Sequence, residues 1–173
     1  KDRNNIYIQD ELRDPGNLDF RPREGSTLID AGKTLEIFEK PIDGITDGVI
    51  GDNSDIGPYE YGDSIYWIPG HQTEKARMPI APNGSNTVKS NADLMWLEGL
   101  DSIANIIYFG QNPDQLELKA TQSNNIFSPE ELIPGQNYYW RVDTETINGI
   151  VEGDIWQFRV DDRLDYLEIP SVY

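Results

Sequence analysis

Leu132-Ile133-Pro134-Gly135-Gln136-Asn137-Tyr138-Tyr139-Trp140-Arg141-Val142-Asp143 reads as a Pro-Gly turn delivering the chain into a long β-strand. Pro presets one turn dihedral and Gly supplies the positive φ of the next position. The strand that follows alternates with a period of two. Tyr138, Trp140 and Val142 are expected to face a core, and Tyr139, Arg141 and Asp143 to face solvent. Asn148-Gly149, between this run and Trp156-Gln157-Phe158, is a hairpin signal because both residues tolerate positive φ. Trp156 and Phe158 would complete the core from the last strand.

Working outward, the pattern repeats. Strands are predicted near 79–82, 92–97, 104–110, 115–120, 124–128, 137–146 and 153–160. Pro82-Asn83-Gly84, Gly99, Asn112-Pro113-Asp114 and Pro134-Gly135 punctuate them. Seven short strands with regular turns predict a β-sandwich over residues 79–161. No sustained helical stripe occurs, so the chain is expected to be all-β. Residues 63–78 read as a connector and 162–173 as an acidic, aromatic tail. Residues 1–62 are rich in Asp, Gly and Pro, with apolar pieces about three residues long, Ile6-Tyr7-Ile8 and Thr27-Leu28-Ile29. Such short pieces suit rungs of a solenoid, each coil covering the next.

Composition limits the functions available. Fourteen basic and 31 acidic residues give a net charge of −17. A surface this negative repels phosphate backbones and anionic membranes, so neither nucleic acid nor membrane insertion is expected. No apolar run is long enough to span a bilayer. Without cysteine there are no disulfides, thiolate metal sites or Cys nucleophile. A cysteine-free chain fits a bacterial secreted or cell-surface protein that relies on its core. It starts at Lys1 without an apolar leader, so a signal peptide is expected to be removed or to lie upstream.

Three stretches resemble known families. Asp19-Phe20-Arg21, continuing through Gly25-Ser26 to Ile29-Asp30-Ala31-Gly32, resembles the D-F-R-L-x-x-G-S-P-A-I-D-A-G segment near the end of right-handed parallel β-helix proteins, with Thr27 in place of the usual Pro. Asp55-Ile56-Gly57-Pro58-Tyr59-Glu60 is similar to the D-I-G-A-Y-E closure of the same solenoids, with Pro58 in place of Ala. Leu132-Ile133-Pro134-Gly135-Gln136-Asn137-Tyr138 matches the L-x-P-G-x-x-Y of fibronectin type III domains. In that family the Tyr hydroxyl bonds backbone upstream, and Trp96 falls where a strand-B Trp is carried. The resemblance implies the last coils and cap of a pectate-lyase-like or chondroitinase-B-like β-helix over residues 1–62, then a seven-stranded fibronectin-III-like sandwich. Catalytic residues of those β-helix families lie on middle coils, expected upstream of Lys1, so no catalytic role is carried over. The implied partners are upstream coils of the same or another chain, and polysaccharide. The implied function is a non-catalytic capping, spacing or positioning region. A surface adhesin or structural fibre without catalytic activity is the alternative.

Candidate sites are few. His71 is the single histidine and sits beside a Pro-Gly turn, which suits a surface residue better than a triad member. Asp43, Asp47, Asp52 and Asp55, with Asn53, crowd a Gly-rich loop. Their hard oxygens suit calcium, but the spacing does not match a calcium loop, and capping of turn N–H groups is the favoured role. No other cofactor is expected. Tyr66, Trp67 and Tyr139 are the aromatic candidates for an exposed sugar platform, with interface packing the competing role for Trp67. Ser64 and Ser102, in Asp63-Ser64-Ile65 and Asp101-Ser102-Ile103, resemble a D-[ST]-apolar O-glycosylation motif.

Overall fold

The computed structural model describes residues 11–34 and 40–163. Ile6-Tyr7-Ile8 and most of the tail lie outside them. The described chain is all-β, apart from one 3-10 turn. The elements are β1 (Leu12–Asp14), the 3-10 turn (Pro15–Asn17), β2 (Asp19–Pro22), β3 (Arg77–Ile80), β4 (Ser85–Val88), β5 (Leu94–Leu97), β6 (Ala104–Gly110), β7 (Glu117–Gln122), β8 (Ile126–Phe127), β9 (Asn137–Thr146), β10 (Gly149–Val151) and β11 (Trp156–Val160).

Two open sheets form the sandwich. The larger runs β4-β11-β9-β6-β7, with β10 paired to the end of β9, and the smaller runs β3-β5-β8. Period-two alternation decides which side chains they share. Along β6 the odd residues Asn105, Ile107 and Phe109 are buried, and across from them on β9 lie Thr144, Val142 and Trp140. Trp96, from the smaller sheet, meets Trp140 edge-on at 6.1 Å, and Trp140 meets Trp156 at 4.7 Å. Phe109, Tyr138 and Phe158 stack in the same core. Tyr138, Trp140, Val142, Trp156 and Phe158 are all buried, as the alternation requires.

The Tyr138 corner is formed as expected. Its hydroxyl accepts a hydrogen bond from the Ile133 amide at 3.0 Å, and Gly135 takes φ +80° in the turn. That corner and this strand order make the second half an all-β, two-sheet sandwich of the kind the sequence resemblance implies. Tyr138→Phe leaves the Ile133 N–H without its acceptor. The variant is expected to lose about 1–3 kcal/mol, read as a lower denaturant midpoint at unchanged slope.

Three expectations for the sandwich need correction. Asp143 is buried (4 % exposed) rather than solvent-facing, because Arg141 lies against it and the Gly153 amide donates to it at 2.8 Å. Gly153 can approach so closely because a Cβ there would sit 2.1 Å from the Val142 carbonyl oxygen. The last strand, expected over 153–160, is β11 alone and starts only at Trp156, and a separate short strand that was not expected, β10, follows the Asn148-Gly149 turn and pairs with β9. β4 had no sequence signal, since Ser85-Asn86-Thr87-Val88 does not alternate. It forms by parallel pairing with β11, Phe158 opposite Ser85 and Val160 opposite Val88.

Ahead of the sandwich, β1 and β2 pair antiparallel and Ile42 bridges Thr46, also antiparallel. Thr27-Leu28-Ile29 folds as consecutive turns rather than as a strand, with Leu28 buried. Carboxylates organise this segment. Asp55 accepts the Asp30 amide at 2.8 Å and the Tyr61 amide at 2.6 Å, and Asp30 accepts the amides of Asp52 and Asn53. Backbone bonds add Gly32 to Ser54 and Ile56 to Leu28. The two stretches that resemble solenoid-end motifs are therefore bonded to each other. Gly51 (φ +114°) is required at this seam, since a Cβ there would meet the Asp30 carboxylate at 2.4 Å.

Candidate functional site

The site lies where the segment around residue 66 crosses onto the sandwich. Burial alternates along Ile65-Tyr66-Trp67-Ile68, although this segment belongs to no sheet. Tyr66 and Ile68 turn inward and join Ile80 and Met95 in a second small core, with Tyr59, Leu97 and Ile126 packed against it. Trp67 turns outward and is 42 % exposed. Tyr66 was expected to be exposed; it is 2 % exposed, stacked on Tyr59 at 4.3 Å, and cannot present a face to a ligand.

Polar contacts hold this crossing in place. Asn125, on the loop before β8, accepts the Tyr66 amide at 3.0 Å and donates to the carbonyls of Tyr66 (2.7 Å) and Trp96 (2.9 Å). The Tyr66 hydroxyl donates to the Leu18 carbonyl and accepts the Phe20 amide. Burial pushes its phenol well above the ordinary range. Beside it, Arg13 and Arg21 both engage Asp19 and Asp93, with Arg21 2.7 Å from Asp19 and 2.8 Å from Asp93. Asn17 donates to the Thr87 carbonyl at 2.9 Å, and Ser85 donates to Asn17, so the 3-10 turn covers the free edge of β4. Residues 63–78, read as a connector, are thus anchored on both sides.

Trp67 lines two clefts. One, of about 630 Å3, also contains His71, Gln72, Glu98, Leu100 and Asn125. The other, of about 400 Å3, contains Ile42, Ile45, Thr46, Tyr59 and Glu60. The Tyr59 hydroxyl bonds the Trp67 carbonyl at 2.9 Å, fixing the backbone under the indole. An exposed indole flanked by hydrogen-bonding groups can stack on an amphipathic ring and bond its rim. Burial raises the Glu98 carboxyl, and the Asn105 amide bonded to it at 2.6 Å pulls the other way. Burial likewise raises Glu60, opposed by the amides of Asp55 and Ile50.

The raised Glu98 gives a signed pH prediction. A carboxyl raised in the folded state contributes stability that is complete below the ordinary glutamate value and is lost as pH rises through the raised one. Glu98→Gln keeps an acceptor for Asn105 and removes the charge. It is expected to melt higher than wild type at pH 7 and to lose that advantage as the pH is lowered to about 4, near the ordinary glutamate value. Melting scans of both proteins across this range check it; a Gln variant that melts lower at pH 7 refutes the burial argument.

Other candidates are placed elsewhere. Tyr139 is half-buried on the outer face of the large sheet, opposite Gly110 and Gln157, and lines neither Trp67 cleft. Asp43, Asp47, Asp52 and Asp55 are not brought together as ligands. Asp55 caps two amides as above, and Asp47 accepts the Ser64 hydroxyl at 2.6 Å and its amide at 2.9 Å. Those Ser64 bonds hold the Asp47 carboxyl below its ordinary value. Asp43 and Asp52 are exposed. Among the described residues, no three His, Cys, Asp or Glu side chains form a group that could hold a metal. The Ser102 hydroxyl bonds the Ala104 carbonyl, so both candidate glycosylation serines already donate. Sequence reasoning missed Glu98, Asn125 and the Arg21–Asp93 pair.

No family model matches this chain. No curated protein matches it. Among solved structures it is similar to the twitchin kinase region from C. elegans (Fn31-NL-kin-CRD-Ig26), at 16 % identity and TM-score 0.41, over 54 % of this chain and 17 % of that one. It is also similar to the sixth fibronectin type III domain from human fibronectin type III domain containing protein 3, at 14 % identity and TM-score 0.41, over 57 % of this chain and 92 % of that one. The chain thus spans only a small part of the twitchin region and nearly the whole of the isolated domain.

Proposed function

We propose that this chain is the non-catalytic C-terminal accessory region of a secreted or cell-surface, polysaccharide-acting β-helix protein. Its first part caps the end of the solenoid and its sandwich positions the protein. The observation that carries this reading is the anchored crossing. Tyr66, Asn125, Arg21 and Asp93 tie the turn-rich segment to the sandwich through bonds between residues distant in sequence. A sandwich on a loose tether would swing freely. One held by a small core and a buried ion network passes on a fixed orientation. The mutual bonding of the two stretches that resemble solenoid-end motifs supports the capping role.

Peptide mapping of the native protein around Lys1 tests the covalent part of this proposal. Peptides running upstream into short-period β sequence are expected, and a native amino terminus at Lys1 overturns it. The non-catalytic part is tested by incubating the chain with polysaccharides and following reducing ends and unsaturated products. No turnover is expected, and sustained release of either product by the purified chain overturns it.

A further inference from the structure

We propose that the indole of Trp67, with the two clefts it borders, is a binding site for a neutral glycan and rejects polyanionic ones. The inference rests on the accessory role above and names the class of polysaccharide that role would serve.

Four tryptophans occur in the chain, and three of them, Trp96, Trp140 and Trp156, are in the sandwich core. Trp67 alone is exposed, and it is exposed between two concavities instead of on a convex surface. Ile42 and Ile45, also partly open to solvent, continue the apolar strip into the second cleft. Both clefts fall in the size range of small-ligand sites. A pyranose ring offers an apolar C–H face and a rim of hydroxyls. The indole suits the face. Glu98, Gln72 and His71 on one side, and Glu60 and Thr46 on the other, suit the rim.

Charge decides which sugars can enter. Glu98 is a carboxylate on the wall of the first cleft, Glu60 and Asp55 outnumber the one lysine, Lys33, on the wall of the second, and the whole chain carries −17. Carboxylates accept hydrogen bonds from sugar hydroxyls, but they repel a sugar carboxylate or sulfate in a partly desolvated cleft. Uronate and sulfated chains are therefore disfavoured, and an uncharged hexose chain is favoured.

The three buried tryptophans make the test specific, since an added quencher reaches Trp67 first. The full chain is titrated with cellohexaose, mannohexaose and polygalacturonate, following indole emission and its quenching by acrylamide, which is uncharged. A saturable change that protects against acrylamide is expected with a neutral hexaose and not with polygalacturonate. Trp67→Ala should weaken the neutral binding by about ten-fold or more by calorimetry, as truncation of an aromatic anchor does. Trp67→Tyr, which keeps a flat ring, should retain most of it. Neither variant removes a buried side chain, and unchanged circular dichroism confirms the fold. Absence of a saturable response to both neutral hexaoses overturns the assignment. So does tighter binding of polygalacturonate, or a Trp67→Ala variant that binds like wild type. Each of these outcomes removes the glycan site while peptide mapping and turnover still decide the accessory role separately.

Discussion

Replacing Trp140 by Ala is expected to cost about 3–5 kcal/mol, a large share of the roughly 5–15 kcal/mol that holds a domain together. The side chain is fully buried and lies between the sheets, edge-on to Trp156 and to Trp96. Its strand cannot shift inward to fill the hole. β9 is paired along its length with β6 on one side and with β10 and β11 on the other. Full cavity cost is therefore expected instead of partial collapse. Trp140→Phe is the informative companion. Among the described residues the Trp140 indole N–H has no hydrogen-bond partner. Phe removes that buried donor while keeping an aromatic ring, so its cost should be less than half that of Ala. Urea unfolding of the three proteins checks both statements. A loss below about 1 kcal/mol for Trp140→Ala would mean that the two sheets do not share this core.

How legible each part was follows from whether its determinants are local. β6 and β9 were legible to the residue, because alternation, Pro134-Gly135 and Asn148-Gly149 all act within a few positions. β4 was invisible because its reason for being a strand lies in Phe158 and Val160, more than seventy residues away. Asp143 was misread because alternation says which face a residue takes, not whether a neighbouring loop covers that face, as Gly153 does here. The Trp67 cleft carried a usable signal that was read incompletely. Applied to Ile65-Tyr66-Trp67-Ile68, the same period-two rule separates Tyr66 and Ile68 from Trp67, one pair inward and one ring outward. The acidic loop illustrates the opposite limit. Capping was readable from residue type and turn context, but which amides Asp55 and Asp30 would cap was not. Glu98 and Asn125 gave no signal at all, since a single Glu and a single Asn acquire a role only once the crossing segment is laid beside them.

Arg21→Ala is expected to release the segment ahead of the sandwich while leaving the sandwich folded. Burial works against the Arg21 charge, but Asp19 and Asp93 outweigh it, and the guanidinium is held charged. Without it, two mostly buried carboxylates are left to Arg13, which is more exposed and stands 3.5 Å from Asp19. Removing one member of a buried ion network in this way costs about 3–5 kcal/mol, because the charges left behind are poorly compensated. The cost should fall on the docking and not on the sandwich core, since the nearest bonds are those of the Phe20 amide to Tyr66 and of Asn17 to Thr87. Limited proteolysis within residues 11–62 should therefore accelerate strongly, and the Phe20 amide should lose its hydrogen-exchange protection. Amides of β6 and β9 should keep theirs. Salt separates this network from surface pairing. The exposed Lys75–Asp154 pair should weaken at high ionic strength, whereas the Arg21 docking should persist. If Arg21→Met with Asp93→Leu proves less destabilising than the sum of the single changes, the two side chains act as one unit. If Arg21→Ala instead leaves proteolysis and Phe20 exchange unchanged, the segment is held by the Tyr66 core alone. The fixed orientation argued for the sandwich would then rest on apolar packing without the ion network.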